Sequence, residues 1–169
     1  MLVVDNFLPP QQFLAIKNAF LNESFPWTLT SKTNTGKNLL CEERFDYQLV
    51  HMLYHAPNII SKYLDTINPL IKKINASILL RAKANVTFCN QNLHEFEFHT
   101  DLPEHIAKIA KTAVFYLNTN NGYTLFKETK EKVISLENRI VFFDAIEEHT
   151  GSNCTDQKFR TVLNLNFIP

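Results

Sequence analysis

The feature that most constrains the fold of this chain is a change of hydrophobic period near Ile78. Before it, Phe13, Ile16, Ala19 and Phe20, and then Ile60, Tyr63, Leu64, Ile67, Leu70, Ile71 and Ile74, recur every three to four residues, the spacing of a helix stripe. After it the spacing drops to two, and clusters of Asn, Gly, Asp and Glu punctuate short apolar runs, which is how strands and turns read. A short strand is expected at "LVV", and a helix opened by Pro9-Pro10 should follow it. A second helical region is expected over 59–74, where Pro69 kinks or divides it. Strands are expected at 78–89, 94–99, 112–118, 123–127, 132–135, 139–143 and 160–168. Helices set ahead of a run of antiparallel strands predict one α+β, mainly β domain over residues 1–169. Helices are expected to dominate the first half, with helical support mainly from 1–76 and the sheet core mainly from 77–169, the helices covering one face of a sandwich or barrel.

Successive strand side chains point to opposite faces, so each strand divides in two. In "RTVLNLNF", Thr161, Leu163, Leu165 and Phe167 form an apolar face, while Arg160, Val162, Asn164 and Asn166 form a polar one. "TAVFYLN" sets Ala113, Phe115 and Leu117 against Thr112, Val114, Tyr116 and Asn118, and "LRAKANVTF" sets Leu80, Ala82, Ala84, Val86 and Phe88 against Arg81, Lys83, Asn85 and Thr87. Either a half-exposed sheet or the lined interior of a barrel accounts for these faces.

Composition excludes several classes. With 45% apolar residues, 14 Phe and 3 Gly, the chain has the material for a packed core. Lys plus Arg and Asp plus Glu balance at 17 each without a basic run, which argues against a nucleic-acid or membrane-surface partner. Cys41, Cys89 and Cys154 are three, scattered and without a C-x-x-C pair; this fits neither a disulfide framework nor a thiolate zinc site, and a reducing cytoplasm is the expected setting. "MLVVDNFLPP" lacks a positively charged leader and no stretch has the ~20 apolar residues of a membrane span, so a soluble, unprocessed protein is expected.

Two imidazoles and one carboxylate on one face of an octahedral ion hold non-haem Fe(II) in many oxygenases and leave positions open for other ligands. In "FHTD", His99 and Asp101 are two apart, so extended backbone turns both to one side. His149, which follows "RIVFFD" and precedes "TGSN", is the candidate third ligand at a strand end. "HEFEFH" lacks the H-E-x-x-H spacing of a zinc-protease helix, and His51, His55 and His105 read as surface or packing residues in helical or loop stretches. Arg160, on the polar face of the last strand, can grip a carboxylate bidentately, and Tyr116 on a like face offers a hydroxyl. A structural salt bridge is the other reading of Arg160.

The four blocks H-x-D at 99–101, "FYLNTNNGYTLF" at 115–126, "RIVFFDAIEEHTG" at 139–151 and "RTVLNLNF" at 160–167 resemble, in order and spacing, the 2-oxoglutarate- and Fe(II)-dependent dioxygenases, prolyl-4-hydroxylase-like branch. The likeness runs from about Arg81 to Phe167. It implies a double-stranded β-helix, a jelly-roll cupin-like barrel buttressed by the N-terminal helices. It also implies iron ligands His99, Asp101 and His149, with Arg160 and Tyr116 holding the distal carboxylate of 2-oxoglutarate and Asn85, with Lys83, facing cosubstrate or substrate. Two departures stand out: Gly122 is followed by Tyr123 where relatives usually have two glycines, and Val162 replaces a small hydroxyl residue two past the arginine.

The implied reaction couples oxidation of 2-oxoglutarate by O2, to succinate and CO2, with hydroxylation of an unactivated C–H bond on a protein side chain, as in prolyl hydroxylases, or on a small molecule. Halogenating relatives have a small residue where this chain has Asp101, which favours hydroxylation. Two other readings stand beside it: a cupin-type metalloenzyme that does not use 2-oxoglutarate, and a non-catalytic jelly-roll binding module. Specificity is expected to lie in a mobile flap near 28–38, in 89–98 and in the turn around Asn120.

Overall fold

Leu163, Leu165 and Phe167 alternate with Val162, Asn164 and Asn166 along the last strand, and that alternation decides which side of the sheet meets the helices. The computed structural model of the chain describes residues 1–30 and 47–169. Its strands are β1 (Leu2–Val4), β2 (Thr28–Thr30), β3 (Gln48–His55), β4 (Asn58–Ile59), β5 (Ile78–Phe88), β6 (Lys111–Tyr116), β7 (Tyr123–Phe126), β8 (Lys132–Ile134), β9 (Ile140–Asp144), β10 (His149–Gly151) and β11 (Phe159–Ile168). The helices are α1 (Pro10–Phe20), α2 (Asn68–Ile74) and α3 (Glu104–Ala107), and a 3₁₀ turn at Lys62–Ile67 leads into α2.

Among the described residues the strands make two antiparallel sheets. The larger runs β1-β9-β6-β11-β5-β3-β2 with β4 beside β3, and the smaller runs β10-β7-β8. On the outer face of the larger sheet, Ala82, Ala84, Ala113, Phe115, Leu163, Leu165 and Phe167 pack with Phe13, Ile16 and Phe20 of α1, Ile67 and Leu70. On its inner face, Val114, Tyr116, Val141, Phe143 and Val162 meet Phe126 and Val133 of the smaller sheet. This is the double-stranded β-helix, and the face split read along β5, β6 and β11 is the split between these two layers.

Local sequence explains the helix starts. Pro10 opens α1, whose buried stripe is Phe13, Ile16 and Phe20. Pro69 lies in the first turn of α2, where no N–H partner is lost, so it begins the second helix after the 3₁₀ turn. Asn138, at φ 62°, closes the approach to α1: its Oδ1 accepts from Leu8 N and its Nδ2 donates to Leu8 O, each at 2.8 Å.

Two expectations are corrected. Helices do not dominate the first half, because β3, an eight-residue strand in "QLVHMLYH", pairs with β5 and extends the larger sheet. Its two alternating sets, Gln48, Val50, Met52 and Tyr54 against Leu49, His51, Leu53 and His55, each mix polar and apolar residues, which hid the strand from a period-two reading. His51 therefore lies on a strand; its ring bonds Pro26 O and Ser61 Oγ and packs on Phe25 and Tyr63, as a packing residue does. His55 ends the same strand, while His105 lies in α3. The second correction is 94–99, which is irregular and whose backbone pairs with other segments only at isolated bridges, Glu95 to Ser152 and His99 to His149. Of the expected flap, 28–30 is β2; residues 31–38, like Cys41, lie outside the described residues.

Candidate metal centre

His99, Asp101 and His149 come together at the mouth of the space between the sheets, with one ligand atom from each lying within 4.8 Å of the others. The His99–His149 bridge holds the irregular segment against β10, and mutual backbone hydrogen bonds of 3.0 Å fix it there. Asp101 Oδ1 is 3.9 Å from His99 Nε2, and Oδ2 is 3.7 Å from His149 Nε2. Both separations are within what two donors can span at about 2.0–2.2 Å from one ion, the usual range for nitrogen and oxygen ligands.

The tautomers suit a metal. His99 Nδ1 faces the Glu97 carbonyl at 3.0 Å and His149 Nδ1 faces the Glu147 carbonyl at 3.1 Å. A carbonyl only accepts, so each Nδ1 carries the proton and each Nε2 presents a lone pair toward Asp101. Burial, the largest influence, pushes His149 toward the neutral form that ligation requires, against the pull of Asp101. Phe143 and Phe126 enclose its ring.

Asp101 is held as an anion in spite of burial. Desolvation pushes its carboxyl up, but the Arg81 guanidinium, the two imidazoles and a hydrogen bond from Asn164 outweigh it and hold the group well below the usual carboxylate range. Arg81 Nη2 donates to Oδ1 at 2.6 Å, while Asn164 and Asn166 Nδ2 donate to Oδ2 at 2.9 and 3.2 Å. Arg81 Nε also donates to Asn166 Oδ1, at 2.9 Å, so the orienting residues form one connected group. None of the three was singled out from the sequence. The available signal was their place on the inward face of β5 and β11.

Deeper in the cavity, Arg160 is buried. Its Nε donates to Ser135 Oγ at 2.7 Å and its Nη2 to Thr124 Oγ1 at 3.1 Å. Nη1 points past Gly151, where an added Cβ would stand only 3.3 Å away. Burial lowers the guanidinium's pKa, as a charge without a facing anion should experience. Tyr116 does not line the cavity: its ring lies under the guanidinium, 5.5 Å from Cζ to ring centroid, and its hydroxyl donates to Thr124 Oγ1 at 2.8 Å. Burial raises the pKa of that hydroxyl, which stays a donor. Asn85, Lys83 and Val162 do line the cavity, as the face split requires.

Neither the family models nor the curated proteins contain a match to this chain. Solved structures do match. A prolyl hydroxylase of Trichoplax adhaerens, in complex with a hypoxia inducible factor peptide fragment, superposes with a TM-score of 0.67 at 14% identity, over 99% of this chain and 83% of that one. A 2OG-Fe(II) oxygenase family oxidoreductase of Burkholderia pseudomallei gives 0.71 at 8% identity, over 98% and 84%. The viral collagen prolyl hydroxylase of Paramecium Bursaria Chlorella virus-1, in its 2OG complex, gives 0.62 at 13%, over 99% and 95%. At these identities what is shared is the fold.

Proposed function

We propose that this chain is an Fe(II)- and 2-oxoglutarate-dependent oxygenase that hydroxylates an unactivated C–H bond of a protein side chain or small molecule. The observation that carries this reading is the convergence of His99, Asp101 and His149 on the cavity that also holds the buried Arg160. The fold it shares with structures described as prolyl hydroxylases and 2OG-Fe(II) oxygenases supports it.

A ferrous ion with 2-oxoglutarate and dioxygen supplies the oxidising chemistry when bound, with succinate and CO2 as coproducts. His99 and His149 offer it Nε2 lone pairs, and Asp101 offers a carboxylate that Arg81, Asn164 and Asn166 keep ionised and aimed. Arg160 would hold the distal carboxylate of the cosubstrate, with Ser135, Thr124 and the Tyr116 ring fixing the guanidinium beforehand. Val162 puts an apolar wall where a hydroxyl would add a hydrogen bond, so the arginine carries more of that grip. Asn85 stands on the same wall. Among the described residues no helix is long and apolar enough to cross a membrane, and the free thiols Cys89 and Cys154 support a reducing, cytoplasmic setting.

Anaerobic titration of the Fe(II)-loaded protein with 2-oxoglutarate tests the reading. A weak visible charge-transfer band should appear, and in Arg160→Ala the affinity read from it should fall at least tenfold while iron still binds. Iron binding without a band would overturn the assignment in favour of a metalloenzyme that does not use 2-oxoglutarate.

A further inference from the structure

Lys83 is not used by any step above. It sits on the inward face of β5, lines the same cavity as the metal residues and Arg160, and lies opposite Asn164 in the β5–β11 register. Among the described residues its ammonium has no hydrogen-bond or ion-pair partner. Asp101, the anion nearest to hand, is already taken by Arg81, Asn164 and Asn166. Lys83 is half-buried, and a cation drawn partly out of water is ordinarily paired.

The proposed ligands do not supply a partner: one end of 2-oxoglutarate belongs to the metal and the other to Arg160, and the Asp101 carboxylate is held by Arg81, Asn164 and Asn166. The two cations also enter from different places. Arg160 pairs in register with Thr87, four residues along β5 from Lys83, or about 13 Å at the usual strand rise. Arg160 is anchored at one end on Ser135 and Thr124, whereas Lys83 flanks the Asn164 that donates to Asp101. The wall around Lys83 is incomplete in a second way: Asn85 Oδ1 and Asn164 Oδ1 are buried with no donor among the described residues. Burial and then the nearby Arg81 lower the lysine's pKa and the Asp101 carboxylate offsets them only in part, a penalty that a bound anion eases.

We infer that Lys83 binds the carboxylate of the substrate, and that the substrate is a free α-amino acid whose adjacent amino group donates to the Asn85 and Asn164 oxygens. One small zwitterion answers an unpaired cation and two unpaired acceptors together. The inference rests on the oxygenase reading for the role of Arg160 and narrows the substrate within it.

The test uses protein loaded with Zn(II) and 2-oxoglutarate, which cannot turn over. The probes are the twenty free L-amino acids and their carboxamides, with binding read by calorimetry. At least one amino acid should bind, its carboxamide at least tenfold more weakly. Lys83→Met should lose the same factor for the amino acid, and Lys83→Arg should retain most of the affinity. In parallel, the Fe(II)–2-oxoglutarate band should titrate within twofold of wild type in Lys83→Met, which also shows that the variant is folded. The inference is overturned if wild type that forms the band binds no amino acid, if Lys83→Met binds it as tightly, or if Lys83→Met loses the band and so makes the lysine a cosubstrate anchor. Amino-acid binding without any band in wild type would instead sink the oxygenase reading and leave the carboxylate site standing.

Discussion

At the scale of single residues, the chemistry depends on groups that hold other groups in place. Arg81 shows this most clearly, since it touches both Asp101 and Asn166. Replacing it by Met leaves a buried carboxylate facing two asparagines without its cation, and breaking a buried ion pair in this way costs about 3–5 kcal/mol. Urea denaturation of the metal-free protein should report that loss, and the double variant Arg81→Met/Asp101→Asn should recover much of it because no lone charge remains. Metal affinity in Arg81→Met should also fall, by roughly 10- to 100-fold, the usual effect of removing a residue that orients a ligand. An Arg81→Met protein as stable as wild type would show that Asp101 does not depend on the pair. The H-x-D spacing was legible in the sequence. Its partner was not, because Arg81 and Asp101 are twenty residues apart and only the curl of the chain after β5 joins them.

At the scale of elements, the turn between β6 and β7 positions the deep end of the cavity. Gly122 lies there with no room for a side chain: a Cβ would come within 2.4 Å of Asn153 O and 2.7 Å of Arg160 Cδ. Gly122→Ala must relieve contacts with the 153 backbone, the arginine stem and the Asn120 amide together, and overpacking of this kind costs about 1–3 kcal/mol. The variant should melt lower and bind 2-oxoglutarate more weakly, with Fe(II) affinity changed little; unchanged 2-oxoglutarate affinity would show that Arg160 tolerates the shift. The departure at this turn also has a structural account. Tyr123, which follows Gly122 directly, turns its hydroxyl outward to Glu95 at 2.5 Å and takes the Lys132 ammonium over its ring, so it ties β7 and β8 to the irregular segment before His99. That segment reads as a strand by alternation alone, "HEFEFH". Its backbone bonds to β10, Phe96 N to Gly151 O and the mutual pair of His99 and His149, are too few and too far apart to make a ladder.

At the scale of the whole molecule, the candidate metal ligands join the two sheets, since His149 belongs to the smaller sheet while Asp101 is gripped from β5 and β11 of the larger. An ion bound there links the layers and stabilises the folded state by mass action, about 2.7 kcal/mol at a hundred times its dissociation constant. For a domain of this size that is a rise of roughly 5–11 °C in Tm. Mn(II) or Fe(II) under nitrogen should produce it in wild type, chelation should reverse it, and Asp101→Ala should show neither; an equal rise in Asp101→Ala would remove Asp101 from the ligand set. By itself, the sequence determined the faces of β5, β6 and β11, the helix that opens at Pro10, and the triplet and downstream residues proposed to carry the chemistry. These follow from local periodicity and from side-chain type, which a chain displays without folding. Only the tertiary structure decided that "QLVHMLYH" is a strand of the larger sheet, that Tyr116 supports Arg160 from behind without lining the cavity, and that Lys83 has no counter-ion among the described residues. Those are outcomes of which distant residues become neighbours, and burial and pairing exist only once the two sheets have closed on each other.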